Sequence, residues 1–325
     1  MAKIRNEDFL FTTGRIRSLE RELLGRERIE RMIDAKTDED ALKILYDCGY
    51  QEVLSSEPSL EDALARFRRE LYVSLESYIP VPAVLDVFRL KYDFHNIKTA
   101  VKAAARGYDA ARLYIDAGTV PIKILLLSVP DGKSPAVPAP LNEAIASASD
   151  TLARTGDPQL VDFELDRAMF ACQARVARET GSDFLSGYVA LSADAANLRA
   201  LSRARRMGRG RDLLRFALSD EGTVAPEKLL DAAEDALPSL YSGLLSAAAA
   251  AAATGAEMSS VDRLCDDALV AYIREAKFVT FGEQPAAAYL AAREFEMTQI
   301  RIIMAGRASG LSPEAIRERL RSTYV

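Results

Sequence analysis

A pattern of acid, two residues, amide, Ile or Leu and a basic residue occurs three times in this chain, each time with a glycine eleven residues after the amide. The copies are Asp93-Phe-His-Asn96-Ile97-Lys98 with Gly107, Asp194-Ala-Ala-Asn197-Leu198-Arg199 with Gly208, and Glu296-Met-Thr-Gln299-Ile300-Arg301 with Gly310. Asn96 to Asn197 is 101 residues and Asn197 to Gln299 is 102. That spacing, with matching chemistry in each column, makes the chain three related units. A second marker runs from Asp40 to Gly49, Asp109 to Gly118 and Asp212 to Gly222, each reading as a short helical run; the last two continue in register as Gly118-Thr-Val and Gly222-Thr-Val. The units are therefore placed at 1–108, 109–210 and 211–325, the first shortened by about 30 residues between its markers.

Local signals make these segments helical. From Tyr188 to Met207, the residues Ala193, Ala196, Ala200, Ala204 and Met207 fall at three- and four-residue steps and mark one face, while Arg199, Arg203 and Arg206 share another. Ser312 before Pro313 and Thr37 before Asp38-Glu39-Asp40 read as helix starts. Gly107, Gly208 and Gly310 sit where a C-terminal cap belongs. Strand alternation is nearly absent, so the fold class is all-α. The clear break is the proline-rich loop 130–140 inside the second unit. The alanine run 247–253 reads as a helix packed closely on a neighbour.

The composition is poor in catalytic chemistry. Cys48, Cys172 and Cys265 are odd in number and far apart, which offers neither a disulfide framework nor zinc spacing and suggests buried thiols in a reducing compartment. One histidine, His95, leaves little for metal clusters or for designs needing two imidazoles, so it reads as a local polar residue. A net charge of -6 and a pI near 5.2 work against nucleic-acid binding, which runs on neutralising phosphates. No apolar stretch approaches the roughly 20 residues that span a bilayer. The charged N-terminal segment lacks a secretory core, which places the protein in the cytosol. No catalytic, cofactor or metal site is expected.

Two motifs invite sharper readings. Gly132-Lys133-Ser134 follows an apolar run, but a phosphate loop needs an earlier glycine where Leu127 stands, and a helix where Pro135 stands. The arginines Arg199, Arg203, Arg206, Arg209 and Arg211 form a candidate partner-binding surface whose plainer reading is a solvated face. Asn96, Asn197 and Gln299, with Lys98, Arg199 and Arg301 two residues on, read as structural positions. A buried amide at a helix junction bonds free backbone groups, the preceding acid pairs with a basic neighbour, and the basic column serves internal structure.

The N-terminal Gly14-Arg-Ile-Arg-Ser-Leu-Glu-Arg-Glu-Leu-Leu24, the triplicated pattern, Phe163-Glu-Leu-Asp-Arg167 and the ending from Ile300 through Gly306, Gly310 and Ser312-Pro-Glu together resemble the C subunit of the A-type/V-type rotary ATPases, equivalent to the d subunit of the vacuolar enzyme. The resemblance runs essentially end to end. It implies three helical bundles around a pseudo-threefold axis, forming a funnel. It further implies a non-catalytic central-stalk rotor component, a socket that couples the shaft made by the D and F subunits to the membrane proteolipid ring for ATP-linked proton or sodium transport. Such a protein is peripheral on the cytoplasmic face, spans no membrane and binds no cofactor or nucleic acid. The alternative is a soluble helical-repeat scaffold with unrelated partners.

Overall fold

The computed structural model describes residues 3–129, 134–208 and 211–325. Every regular element among them is helical, with no strand. Among these described residues seventeen α-helices follow one another. They begin with α1 (Leu10–Leu19), α2 (Arg26–Asp34), α3 (Asp38–Ile44), α4 (Gln51–Ser56), α5 (Leu60–Glu76) and α6 (Ala83–Arg106). Next come α7 (Ile122–Ser128), α8 (Ala139–Thr155), α9 (Pro158–Thr180), α10 (Asp183–Arg206), α11 (Arg211–Ala217) and α12 (Pro226–Asp231). The last are α13 (Leu237–Leu240), α14 (Ser246–Ala253), α15 (Met258–Arg274), α16 (Glu283–Ala308) and α17 (Pro313–Arg317). No helix among the described residues is long and apolar enough to cross a membrane.

Sequence chemistry sets these boundaries. Ser59, Asp157, Ser182, Thr37 and Ser312 each accept a backbone N–H of the first turn of their helix, which satisfies a donor the helix itself leaves free. Gly107, Gly208 and Gly310 adopt φ of 66°, 61° and 68°, the left-handed conformation that ends a helix with little strain only in glycine. Two local readings change. Between Asp109 and Gly118 only a single 3-10 turn, Ala111–Leu113, forms. The proline-rich segment ends earlier than its composition suggests, because Ala139 and Pro140 open α8, where a missing N–H costs nothing. Residues 130–133 of that segment lie outside the described residues.

The contacts group the chain into two compact units. One consists of Pro82–Ala233 with Lys3 from the N-terminus. Here α9 is central and packs on α6, α8, α10 and α11. Phe94, Ile97, Leu165, Leu185, Leu198 and Leu201 are buried in this unit. Each such side chain stabilises by roughly 1.5–3 kcal/mol relative to exposure. Gln173 on α9 donates to the carbonyl of Val87 on α6 at 2.6 Å. The other unit joins Ile4–Val81 to Glu234–Val325. Its axis is α16, which contacts α1, α2, α3, α15 and α17. Ala286, Ala287, Ala288, Ala291 and Ala292 are all buried, and these small side chains let neighbours approach from every side. The alanine run forms α14, packed between α13 and α15, with Ala248, Ala249 and Ala252 buried.

Candidate functional site

The three repeated amides occupy one bonding arrangement. Asn96 donates from Nδ2 to the carbonyl of Ile115 at 2.8 Å and accepts the N–H of the same residue at Oδ1, also at 2.8 Å. Asn197 does the same with Ser219, at 2.9 and 2.7 Å. Gln299 does it with Arg321, at 2.6 and 3.1 Å. Each amide thus closes both backbone groups of one residue in the segment that follows its helix. Asn and Gln are the side chains that pair a neutral acceptor with an N–H donor at one tip, so neither an acid nor an apolar residue can replace them there. All three are buried.

The acids three residues earlier behave differently from expectation. Asp93 accepts the N–H of Thr119 at 2.9 Å, the Thr119 hydroxyl at 2.7 Å and the N–H of Val120 at 3.1 Å. Asp194 accepts from Thr223 N–H, Thr223 Oγ1 and Val224 N–H at 2.9, 2.6 and 3.3 Å. Neither forms the ion pair with a basic neighbour that the pattern suggests; a carboxylate facing converging N–H groups is satisfied by them. The repeated Gly-Thr-Val is the other half of this clamp. A Cβ on Gly118 would stand 2.2 Å from Asp93 Oδ1, and one on Gly222 2.3 Å from Asp194 Oδ1. These glycines are required for close approach, since neither has positive φ. Burial pushes the Asp93 carboxyl above its ordinary value, against the lowering by its bonds to Thr119 and Val120.

Glu296 keeps the ion pair. It accepts from Arg293 at 2.6 Å, from the Tyr50 hydroxyl at 2.7 Å and from the N–H of Leu24 at 2.5 Å. Arg293 is 1% exposed, donates to Tyr289 Oη and the Cys48 carbonyl, and lies against the rings of Tyr50, Phe67 and Tyr289. Sequence reasoning missed this cluster because Arg293 and Tyr50 belong to no repeated column. Burial raises the Cys48 thiol to about 11, which keeps it protonated and unreactive at neutral pH. Cys172 and Cys265 are buried too.

The basic column lies two residues after each amide. Lys98 on α6 pairs with Asp166 of α9, and Lys102 one turn later with Asp162 at 2.6 Å. Arg301 on α16 pairs with Glu61 of α5 at 2.9 Å. Arg199 and Arg203 on α10 line a groove of about 310 Å³ walled by α9, α10 and α11, together with Phe163, Met169, Met207 and Leu213. The alanine face of α10 opens partly onto it: Ala193 and Ala204 are buried, Ala196 and Ala200 half-buried, and Met207 is 59% exposed. Arg206 is exposed on the same helix, outside the groove lining, and Arg211 is engaged with Asp231. Arg209 lies outside the described residues.

Neither remaining candidate gathers reactive groups. Gly132 and Lys133 lie outside the described residues, while the N–H and carbonyl of Ser134 are both taken by Asn142 at 2.8 Å. His95 Nε2 stands 2.9 Å from the Leu113 carbonyl oxygen, a local tie. A larger cleft of about 630 Å³ beside α9 sets Asp150, Glu164, Asp220 and Glu221 against Arg154 and Arg167, a balance that disfavours phosphates.

A family model described as ATP synthase (C/AC39) subunit matches residues 12–319. The chain is 25% identical to the C subunit of the V-type sodium ATPase of Enterococcus hirae over 319 residues, spanning 95% of this chain and 97% of that one. Against the C subunit of the A-type ATP synthase of Thermococcus kodakarensis it is 24% identical, spanning 95% and 89% of the two chains. Against the C subunit of the V-type ATP synthase of Thermus thermophilus it is also 24% identical, over 67% and 73%.

Proposed function

Because the chain belongs to the ATP synthase (C/AC39) subunit family, whose relatives are rotary ATPase subunits, we propose that it is the non-catalytic socket of a central stalk. In this reading it holds a shaft made by the D and F subunits and seats it on a membrane proteolipid ring, so that torque passes between them during proton or sodium transport. It sits peripherally on the cytoplasmic face. The observation that carries the proposal is the extent of the match, which covers nearly the whole chain and nearly the whole of the Enterococcus hirae relative.

The same reading divides the chain into units at 1–108, 109–210 and 211–325, arranged as three bundles about a pseudo-threefold axis in a funnel. Support comes from α6, α10 and α16, which begin at residues 83, 183 and 283, carry the reciprocal amide bonds and end near left-handed glycines. Superposing the three helices with the residues their amides hold tests this directly, and junctions that fail to overlay would overturn it.

The experiment for function is co-purification after mild detergent extraction. The chain should bring down the shaft proteins and proteolipid; recovery with unrelated proteins alone would replace the socket with a helical-repeat scaffold. Purified alone, it should show no saturable ATP binding. Binding abolished by changing Lys133 would restore the phosphate-loop reading.

A further inference from the structure

We propose that residues 275–281, which join α15 to α16, form with the start of α1 a docking surface for a bilayer that carries anionic lipid headgroups. Large apolar side chains stand out into solvent here. Phe278 is 85% exposed and Phe11 74%, and Phe281 and Leu10 are exposed as well. The joining segment lies along α1 and is held at both ends. The Arg17 guanidinium donates to the carbonyls of Ala276, Lys277 and Val279 at 2.8, 3.2 and 2.8 Å, and Gly282 meets the Thr13 hydroxyl at 3.4 Å. Phe281 therefore comes beside the turn of α1 that carries Leu10 and Phe11, and the exposed rings share one region of the surface.

Cations gather beside these rings. Lys277 sets its ammonium over the Tyr324 ring, 5.0 Å from the centroid, and Tyr324 donates to Glu20, the carboxylate that Arg17 also holds. Arg274 donates to the carbonyl of Thr323 at 2.8 Å. Partial burial lowers the Lys277 pKa from its ordinary value, Arg274 and Arg17 lower it further, and Glu20 opposes them. The three cations outnumber Glu20 even when the exposed Glu275 is counted with it, so this spot is basic in a chain whose net charge is -6. Aromatic rings flanked by cations match a headgroup layer, where the rings enter the acyl boundary and the cations meet phosphates. A ring that projects this far needs no matching pocket, which suits a soft, diffuse interface. The pinned backbone means that little order has to be imposed on docking. The proposal goes beyond the socket reading, whose partners are proteins.

The test is flotation of the intact chain with vesicles of phosphatidylcholine, alone or mixed in equal parts with phosphatidylglycerol. Binding should appear with the mixed vesicles only and weaken as salt is added. Phe278→Ala should reduce affinity about tenfold, or roughly 1.4 kcal/mol, with the melting temperature near that of the parent because the ring is so exposed. Lys277→Glu should reduce it at least as much. The chain contains no tryptophan, so Phe278→Trp supplies a single indole whose emission should shift to the blue on mixed vesicles and stay unshifted on phosphatidylcholine. Absence of binding, equal binding to both vesicles, binding indifferent to Phe278→Ala and Lys277→Glu, or an indole that remains in water overturns the proposal. Assembly with shaft and ring is measured separately. Vesicle binding by a parent chain that brings down neither supports the surface and removes the socket reading alone. Assembly lost in Phe278→Ala while the parent ignores both vesicles makes the ring a protein contact and overturns the proposal.

Discussion

The junctions at Asp93 and Asp194 and the junction at Glu296 share an amide clasp yet differ in what the acid holds. At the first two, the carboxylate grips backbone N–H groups and a threonine hydroxyl in a Gly-Thr-Val segment, with no room for a glycine side chain. At the third, no Gly-Thr-Val follows, and the acid is longer by one methylene. Glu296 turns to Leu24, Tyr50 and the enclosed Arg293. A chemically similar column can thus serve a loop in one place and a charged core in another; what decides is which donors the surrounding segments supply. The amide, whose partner is backbone and hence present whatever the sequence, keeps one role throughout.

Breaking the third junction should cost most. Arg293→Met leaves the buried Glu296 carboxylate without its counter-charge, held only by the Tyr50 hydroxyl and the Leu24 N–H, and denaturant unfolding should register a loss of about 3–5 kcal/mol. A loss equal to that at the other junctions would make the two kinds equivalent, and a smaller one would reverse the order. Next in size are the amides. Asn197→Leu and Gln299→Leu each orphan an N–H and a carbonyl, so urea titrations should show about 2–4 kcal/mol at both sites; a large effect at one alone would end the claim that the clasp is common to the three. Gly118→Ala and Gly222→Ala should each lose about 1–3 kcal/mol by crowding the carboxylate, whereas Gly14→Ala, whose Cβ would meet nothing within 4 Å, should not share that loss.

The pH dependence sharpens the comparison further. The folded-state pKa of Asp93 is raised above 3.8, so folding binds its proton more tightly than the unfolded chain does. The contribution of this group is greatest below the ordinary value and falls as pH rises through 3.8 toward the raised value. Stability differences between the parent and Asp93→Asn should therefore be larger near about pH 4 than near about pH 7; the opposite slope would mean the three hydrogen bonds outweigh burial. The smallest effect belongs to Arg301→Ala, whose pair with Glu61 is well exposed: melting should report about 1 kcal/mol or less, with partner affinity unchanged.

Much of the fold was legible in sequence because its signals are local. Caps at Thr37 and Ser312, the terminal glycines and the long helices around each amide all rest on neighbours within a turn or two. The amide clasp was legible in kind, since a buried amide must bond something, but not in partner: Ile115, Ser219 and Arg321 contribute only backbone, which leaves no trace in residue type. Gly-Thr-Val was visible as a repeat while its tie to the acids was not, because the clamp spans 26 residues in one copy and 29 in the other. The Arg293 cluster was invisible for a related reason: a pattern of kinship reports what the copies share, and this arginine is what one copy does alone. The grouping into Pro82–Ala233 and its complement depends on long-range packing, which periodicity does not encode.

That grouping has a consequence in time. The unit built on α16 needs residues 4–81 and 234–325 together, while the other is nearly continuous in sequence. At about 5–20 residues per second, a ribosome takes roughly 8–30 s to make the intervening segment. Throughout that interval Leu45, Tyr50 and Leu64 have none of the α16 side chains, such as Met297 and Ile300, that share their core. Nascent chains whose residues up to 233 have cleared the ribosome should therefore resist protease within α6, α8, α9 and α10 and be cut readily in 4–81, which makes the N-terminal helices the segment most in need of a chaperone.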